Sequence, residues 1–213
     1  MTAPARIEPQ LRAVRADDGH TTYYVGDAWC WSPTAAFSAT GLTGDFARIP
    51  EFYRERGSAV AKAIELHECG DLDEESVDQH VRPRLDQWKR FVDREVSCVH
   101  GVELVTWAWA DAAHTIPYVA IIDAVVSMRR GGLRSLNAKC GKNKRVYELQ
   151  TAAEAYAFAT MLGESRAPER GVLELGEDDY RWVPHRKGGD FDEVLRMFCE
   201  LGPRREWKDR NAA

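Results

Sequence analysis

The period of apolar positions changes twice along this chain. From Pro50 to Gly70, Phe52, Tyr53, Val60, Ile64 and Leu66 recur at near-helical spacing, with Pro50 suited to a first turn and Gly70 to a stop. An acidic loop, 71–76, leads into a second helix expected over about 77–96. That helix carries Val81, Leu85, Trp88, Phe91 and Val92 on one face, and Pro83 marks an early boundary or a kink. The period then shortens. Residues 101–107, 118–128 and 133–139 read as strands, with Gly131-Gly132 turning between the last two. An Ala-rich helix over about 147–162, strands over 171–175 and 180–184, and a helix over about 191–201 complete the pattern. Ahead of all this, the first twenty residues read as irregular or weakly extended. Residues 21–25 form a strand ending at Gly26-Asp27, and Gly41 and Gly44 act as breakers. The order predicts an α/β domain: a central mixed sheet flanked by helices. One domain covers 1–213, with 1–30 as an extension and 204–213 as a charged tail.

Composition narrows the function. The 213 residues are 44% hydrophobic and 30% charged, as expected of a globular protein with a true core. The net charge of -5 gives no bulk attraction to nucleic acid, so any such binding needs a local basic patch. No long apolar run predicts a membrane span, and residues 1–6 lack an apolar signal core, which points to the cytoplasm. The five cysteines are scattered singly, with no C-x-x-C, and the six histidines show no ligand spacing. Neither a disulfide framework nor a zinc site is expected.

Candidate chemistry gathers on the strands. Asp123 interrupts the apolar run Ile121, Ile122, Ala124, Val125, Val126, and a buried carboxylate needs a partner. Residues 137 and 139 share a strand face, so Asn137 and the Lys139 ammonium point the same way. Glu103, one strand earlier, can offer a further carboxylate. Phosphodiester cleavage needs a divalent metal on carboxylate oxygens, an activated water and a positive group for the developing charge. The same residues also fit plainer readings: a structural Asp123–Lys139 ion pair, an edge-strand Glu103 facing water, and Gln150–Glu154 as a helix-surface pair.

Several stretches, in order, resemble the PD-(D/E)XK nuclease superfamily, especially its phage-type and RecB-like exonucleases. Ser32-Pro33-Thr34 through Gly41-Leu42 is similar to the family's N-terminal serine-threonine stretch. Arg56-Gly57-Ser58-Ala59-Val60 resembles the R-G-x-x-x-H helix, and 118–123 the Y-x-G-x-x-D strand. Residues 136–141 resemble the D-x-K-T-G strand and turn, and Gln150 opens a helix like Q-x-x-x-Y. The resemblance implies a restriction-endonuclease-like central sheet and Mg²⁺ or Mn²⁺ at Glu103, Asp123 and position 137. It implies Lys139 and Gln150 as further catalytic groups. It also implies DNA, duplex or its ends, as the partner, held by Arg56, Ser58, Lys142, Lys144 and Arg145. The four-cysteine set of the iron–sulfur members is missing, so no cluster is expected.

The departures from the pattern are as informative. The family's His falls on Ala61, its Gly on Ala120, its second metal-binding acid on Asn137, its Thr on Cys140 and its Tyr on Glu154. An installed Asn137 would explain one of these, but not five together. The implied function is a phage- or recombination-type nuclease relative that is catalytically weakened or inactive. Two alternatives stand beside it. One is an active Mg²⁺-dependent DNA exonuclease with a shifted ligand set, in which Glu65, one helical turn after Ala61, is a candidate ligand. The other is a non-catalytic protein using the same cleft to recognise nucleic-acid ends or a protein partner, as in phage–host conflict.

Overall fold

The computed structural model describes residues 10–15, 17, 21–42, 49–142 and 144–203. Gly44, Asn143 and the charged tail 204–213 lie outside the described residues. The elements run β1 (Leu11–Arg15), β2 (Thr21–Val25), β3 (Ala28–Trp29), α1 (Pro33–Ala39), α2 (Glu51–Cys69), α3 (Arg82–Glu95), β4 (Val96–Trp109), β5 (Pro117–Met128), β6 (Leu133–Lys139), α4 (Arg145–Leu162), β7 (Glu169–Leu175), β8 (Tyr180–Pro184) and α5 (Gly189–Leu201). Among the described residues no helix is long and apolar enough to cross a membrane.

Five strands make the central sheet, in the order β4-β5-β6-β7-β8. Every neighbouring pair is antiparallel except β6 and β7, which run parallel and are joined through α4. The sheet is therefore mixed, as expected. One face packs against α2 and α3 through Val60, Ile64, Leu85, Trp88 and Phe91, which meet Ala124, Val126, Leu136 and Leu173. The other face packs against α1, α4 and α5, where Phe37, Leu149, Ala153 and Phe198 surround Tyr118 and Ala120. Alternation along the strands separates the two cores. Leu136 and Ala124 point to the first, so Asn137 and Asp123 point to the second.

Local chemistry sets the boundaries. Pro50 precedes α2, and Gly70, with φ 77, closes it in the left-handed region that glycine tolerates best. The second helix starts later than the apolar period suggests, at Arg82 rather than near residue 77. Pro83 occupies its first turn, and the Asp78 carboxylate accepts from the His80 amide in the preceding turn. The next strand is longer than expected: β4 begins directly at Val96 and absorbs two register shifts before residue 101. Gly171 is required by close approach, since a Cβ there would meet the Val183 carbonyl at 2.3 Å.

The front of the chain departs most from expectation. Leu11–Arg15, Thr21–Val25 and Ala28–Trp29 form a small antiparallel sheet, β1-β2-β3, so the expected strand at 21–25 has partners on both sides. Val25 and Cys30 pack on Val119 of β5, and Trp31 bridges to Tyr118. Ser32 then caps α1 by accepting from the Ala35 amide, with Pro33 in the first turn.

Candidate active site

The β5–β6 ladder ends at Ala124 opposite Leu136. One residue further, the Asp123 side chain takes the place of a backbone partner: its Oδ2 accepts from the Ala138 amide at 2.8 Å. The two strands part here, while β6 continues along β7 as far as Lys139. The sequence thus forces a polar fork into an apolar sheet by placing one carboxylate where a ladder bond would be.

Lys139 lies across this fork. Its Nζ is 3.4 Å from Asp123 Oδ2 and donates to Asn137 Oδ1 at 2.9 Å. Asn137 is fully buried, and its amide is oriented from both ends. Its Oδ1 accepts from Lys139 and, at 3.3 Å, from Gln150 Nε2, while its Nδ2 donates to Glu154 Oε2. Gln150 Nε2 also donates to Glu154 Oε1 at 2.9 Å. The Lys139 ammonium further approaches the Tyr147 ring, 5.6 Å from its centroid.

Glu154 is therefore neither a helix-surface residue nor simply a lost tyrosine. It is 1% exposed and supplies a second carboxyl to the cluster from α4 instead of β6. Its predicted pairing with Gln150 is present, but inside the protein. An amide at 137 suits this arrangement, because it donates to Glu154 and accepts from Lys139. An Asp at the same place would lose the donor to Glu154 and add a further carboxyl to the cluster.

Glu103 completes the group. It lies between the register pairs Val102–Ala124 and Leu104–Ile122, which places it across from Asp123. Its φ of 49 is uncommon for a residue with a side chain. Like charges directly opposite on neighbouring strands disfavour each other. Glu103 titrates at about 7, raised first by burial, then by Asp123 and Glu65. Burial and then Asp123 hold the Glu154 carboxyl well above its usual range, against the pull of Lys139. Burial opposes the charge on Lys139, but Asp123 and Glu154 outweigh it and keep the ammonium protonated above its ordinary value. The fork thus carries more carboxyl than its one ammonium neutralises.

The other sequence-predicted residues are placed around this centre. Ala61 and Ser58 lie on α2, as does Arg56, whose guanidinium stacks over Tyr53 at 5.0 Å and Phe52 at 5.6 Å. The Arg56 charge reaches Cys140, the residue after Lys139. Lys142 and Lys144 are exposed just beyond. Arg145 is held by Asp190 at 2.6 Å, Glu193 at 2.6 Å and Glu148, so three carboxylates neutralise its charge in place. Glu65 pairs with Lys62 at 2.7 Å while its charge still bears on Glu103.

Among the described residues no three His, Cys, Asp or Glu side chains are arranged to hold a metal ion by themselves. The crowding of Glu103 against Asp123 and Glu65 nevertheless suits a hard cation, which would relieve it. Such an ion needs only one or two protein carboxylates if water and phosphate supply the rest of its shell.

No protein-family model matches the chain, and no curated protein matches it significantly. Among solved structures, the crystal structure of a "Putative exonuclease" from Eubacterium rectale is similar with a TM-score of 0.45 and 12% identity, covering 67% of this chain and 63% of that one. The structure of SSO0001 is similar with a TM-score of 0.38 and 11% identity, covering 72% and 80%. The chain therefore spans less than two thirds of the first of these proteins. Both likenesses are loose in sequence and in geometry.

Proposed function

We propose that the chain is a nuclease-type protein acting on DNA, with a weakened cutting centre at the β5–β6 fork. The observation that carries this reading is the Asp123–Lys139 pair at 3.4 Å, set where the strands part and bounded by the buried Asn137. Asp123 and Glu103 would hold Mg²⁺ or Mn²⁺. Bound there, the ion would neutralise charge on a scissile phosphate and acidify a water. Lys139 keeps its proton and offers positive charge to the phosphorus centre. Gln150 fixes Asn137, and Asn137 fixes Lys139. Arg56, Lys142 and Lys144 supply local positive charge for the backbone on an otherwise acidic protein. The centre is weakened because Asn137 gives oxygen without charge and because Lys139 competes for Asp123.

One observation favours a second reading, an active enzyme with a relocated acid. Glu154 brings a carboxyl into the same hydrogen-bonded group. The two readings separate in a cleavage assay on end-labelled linear DNA with Mg²⁺ or Mn²⁺. The weakened centre predicts slow cleavage or none, with binding that declines as salt rises. Fast cleavage lost in Glu154→Gln would establish the second reading. Absence of salt-sensitive DNA binding would overturn both and favour a protein partner.

A further inference from the structure

Beside the fork the chain forms a cavity of about 510 Å³, within the range of small-ligand pockets. Its walls come from both sheets and from α4. The half-buried rings of Tyr23 and Trp29 flank it, Ile121 forms an apolar wall, and Gln150 and Glu154 line it from α4. Ile121 is 37% exposed, unusual for an isoleucine inside a central sheet, and it precedes Asp123 by two residues on the same strand face. Tyr23 lies near enough to Glu103 for that carboxylate to add to the effect of burial on its phenol. The cavity therefore adjoins the acid cluster on two sides.

We propose that this cavity is a nucleobase subsite, which takes one unpaired base from a single-stranded end whose phosphate lies at the fork. The inference rests on the nucleic-acid reading above and adds to it what the site reads. Aromatic walls offer stacking to any base, and the partly exposed Gln150 side chain offers a polar contact to a base edge. Among the described residues the lining holds no Lys, Arg or His to grip a phosphate, so the sugar-phosphate chain stays outside and the neutral base enters. Duplex DNA would have to fray by one pair to fill it.

The test uses the full chain with divalent metal removed. Tryptophan quenching and equilibrium dialysis would follow the four deoxynucleoside monophosphates, with deoxyribose 5-phosphate as the base-free probe. Saturable nucleotide binding is expected, with no binding of the base-free probe. Trp29→Leu should weaken binding about tenfold, the loss of one stacked base, and Trp29→Phe should retain most of it. If Trp29→Leu fails to fold by circular dichroism, Tyr23→Leu is read by the same criterion. Equal binding of the base-free probe, no nucleotide binding, or undiminished binding in the folded Leu variant would overturn the subsite. Cleavage without nucleotide binding would remove the subsite and leave the nuclease reading. Nucleotide binding without salt-sensitive DNA binding would keep the subsite and remove the nucleic-acid reading.

Discussion

Two buried polar clusters sit against α4, and they are built on opposite rules. In the first, Arg170 of β7 is 3% exposed and has a partner at each terminal nitrogen. It donates to the Glu148 carbonyl at 2.7 Å, Thr151 Oγ1 at 3.1 Å, the Lys187 carbonyl at 3.0 Å and Asp190 Oδ2 at 2.8 Å. Arg145 closes the other oxygen of Asp190. Burial acts against the Asp190 charge, but bonds from Arg170 and Arg145 overcome it and hold its carboxyl below the usual range. In the second cluster, at the fork, Asp123, Glu103 and Glu154 share one lysine. Two of the three carboxyls are pushed upward rather than down. The first cluster is balanced and ties β7 to α4 and α5. The second is unbalanced and borders a cavity. Residual frustration of this kind is what a site retains for a ligand.

The largest effect expected from this contrast is at the balanced end. Asp190→Ala leaves Arg170 buried without its counter-charge and should destabilise the fold by about 3–5 kcal/mol. A chain of this size should then melt roughly 10 °C lower. Thermal unfolding checks this, and a shift of only a degree or two would remove the clamp from the account.

Next in size is Asn137→Asp. By the family resemblance this change should restore a missing acid. With Glu154 opposite, it should instead cost about 1–3 kcal/mol, because a donor is lost and two carboxyls meet. Adding Glu154→Gln should recover most of the loss, with a coupling of about 0.5–3 kcal/mol in a denaturant double-mutant cycle. Additive single effects would show that the two side chains act independently.

The smallest effect is in pH dependence, and the two clusters titrate in opposite senses. Asp190 has a folded pKa below its unfolded one, so it contributes stability at neutral pH that is lost as pH falls below about 4. Glu103 has a raised folded pKa. Its protonated form suits the fold, and stability should decline as pH rises from its ordinary 4.5 through about 7. Glu103→Gln should flatten the neutral limb and leave the acid limb unchanged. Urea midpoints across pH 3–9 read both, and an unchanged neutral limb would contradict the crowding at Glu103.

Much of this was legible in the residues. The bounds of α2, β5 and β6 followed from Pro50, Gly70 and the glycine turn. That Asn137 and Lys139 share a face followed from strand alternation, and their meeting with Asp123 was implied by the family resemblance. Glu154 was hidden for a physical reason: α4 is buried on nearly every side, so its sequence has no polar face to be read against. The Arg170–Asp190 clamp was hidden because its partners lie twenty residues apart with no local period linking them. The helix α1 was not foreseen, because it has only seven residues and carries little period of its own. The small front sheet was half visible, since Thr21–Val25 is β-rich, whereas its partner Leu11–Arg15 carries two arginines and is mostly exposed.

If the fork is a depleted cation site, as proposed above, calorimetric titration of the chain with Mn²⁺ should reveal it. Weak binding of one ion is expected, abolished by Asp123→Asn, reduced by Glu103→Gln and strengthened in Lys139→Met, where the competing ammonium is gone. No binding in any variant, or binding indifferent to Asp123, would contradict it.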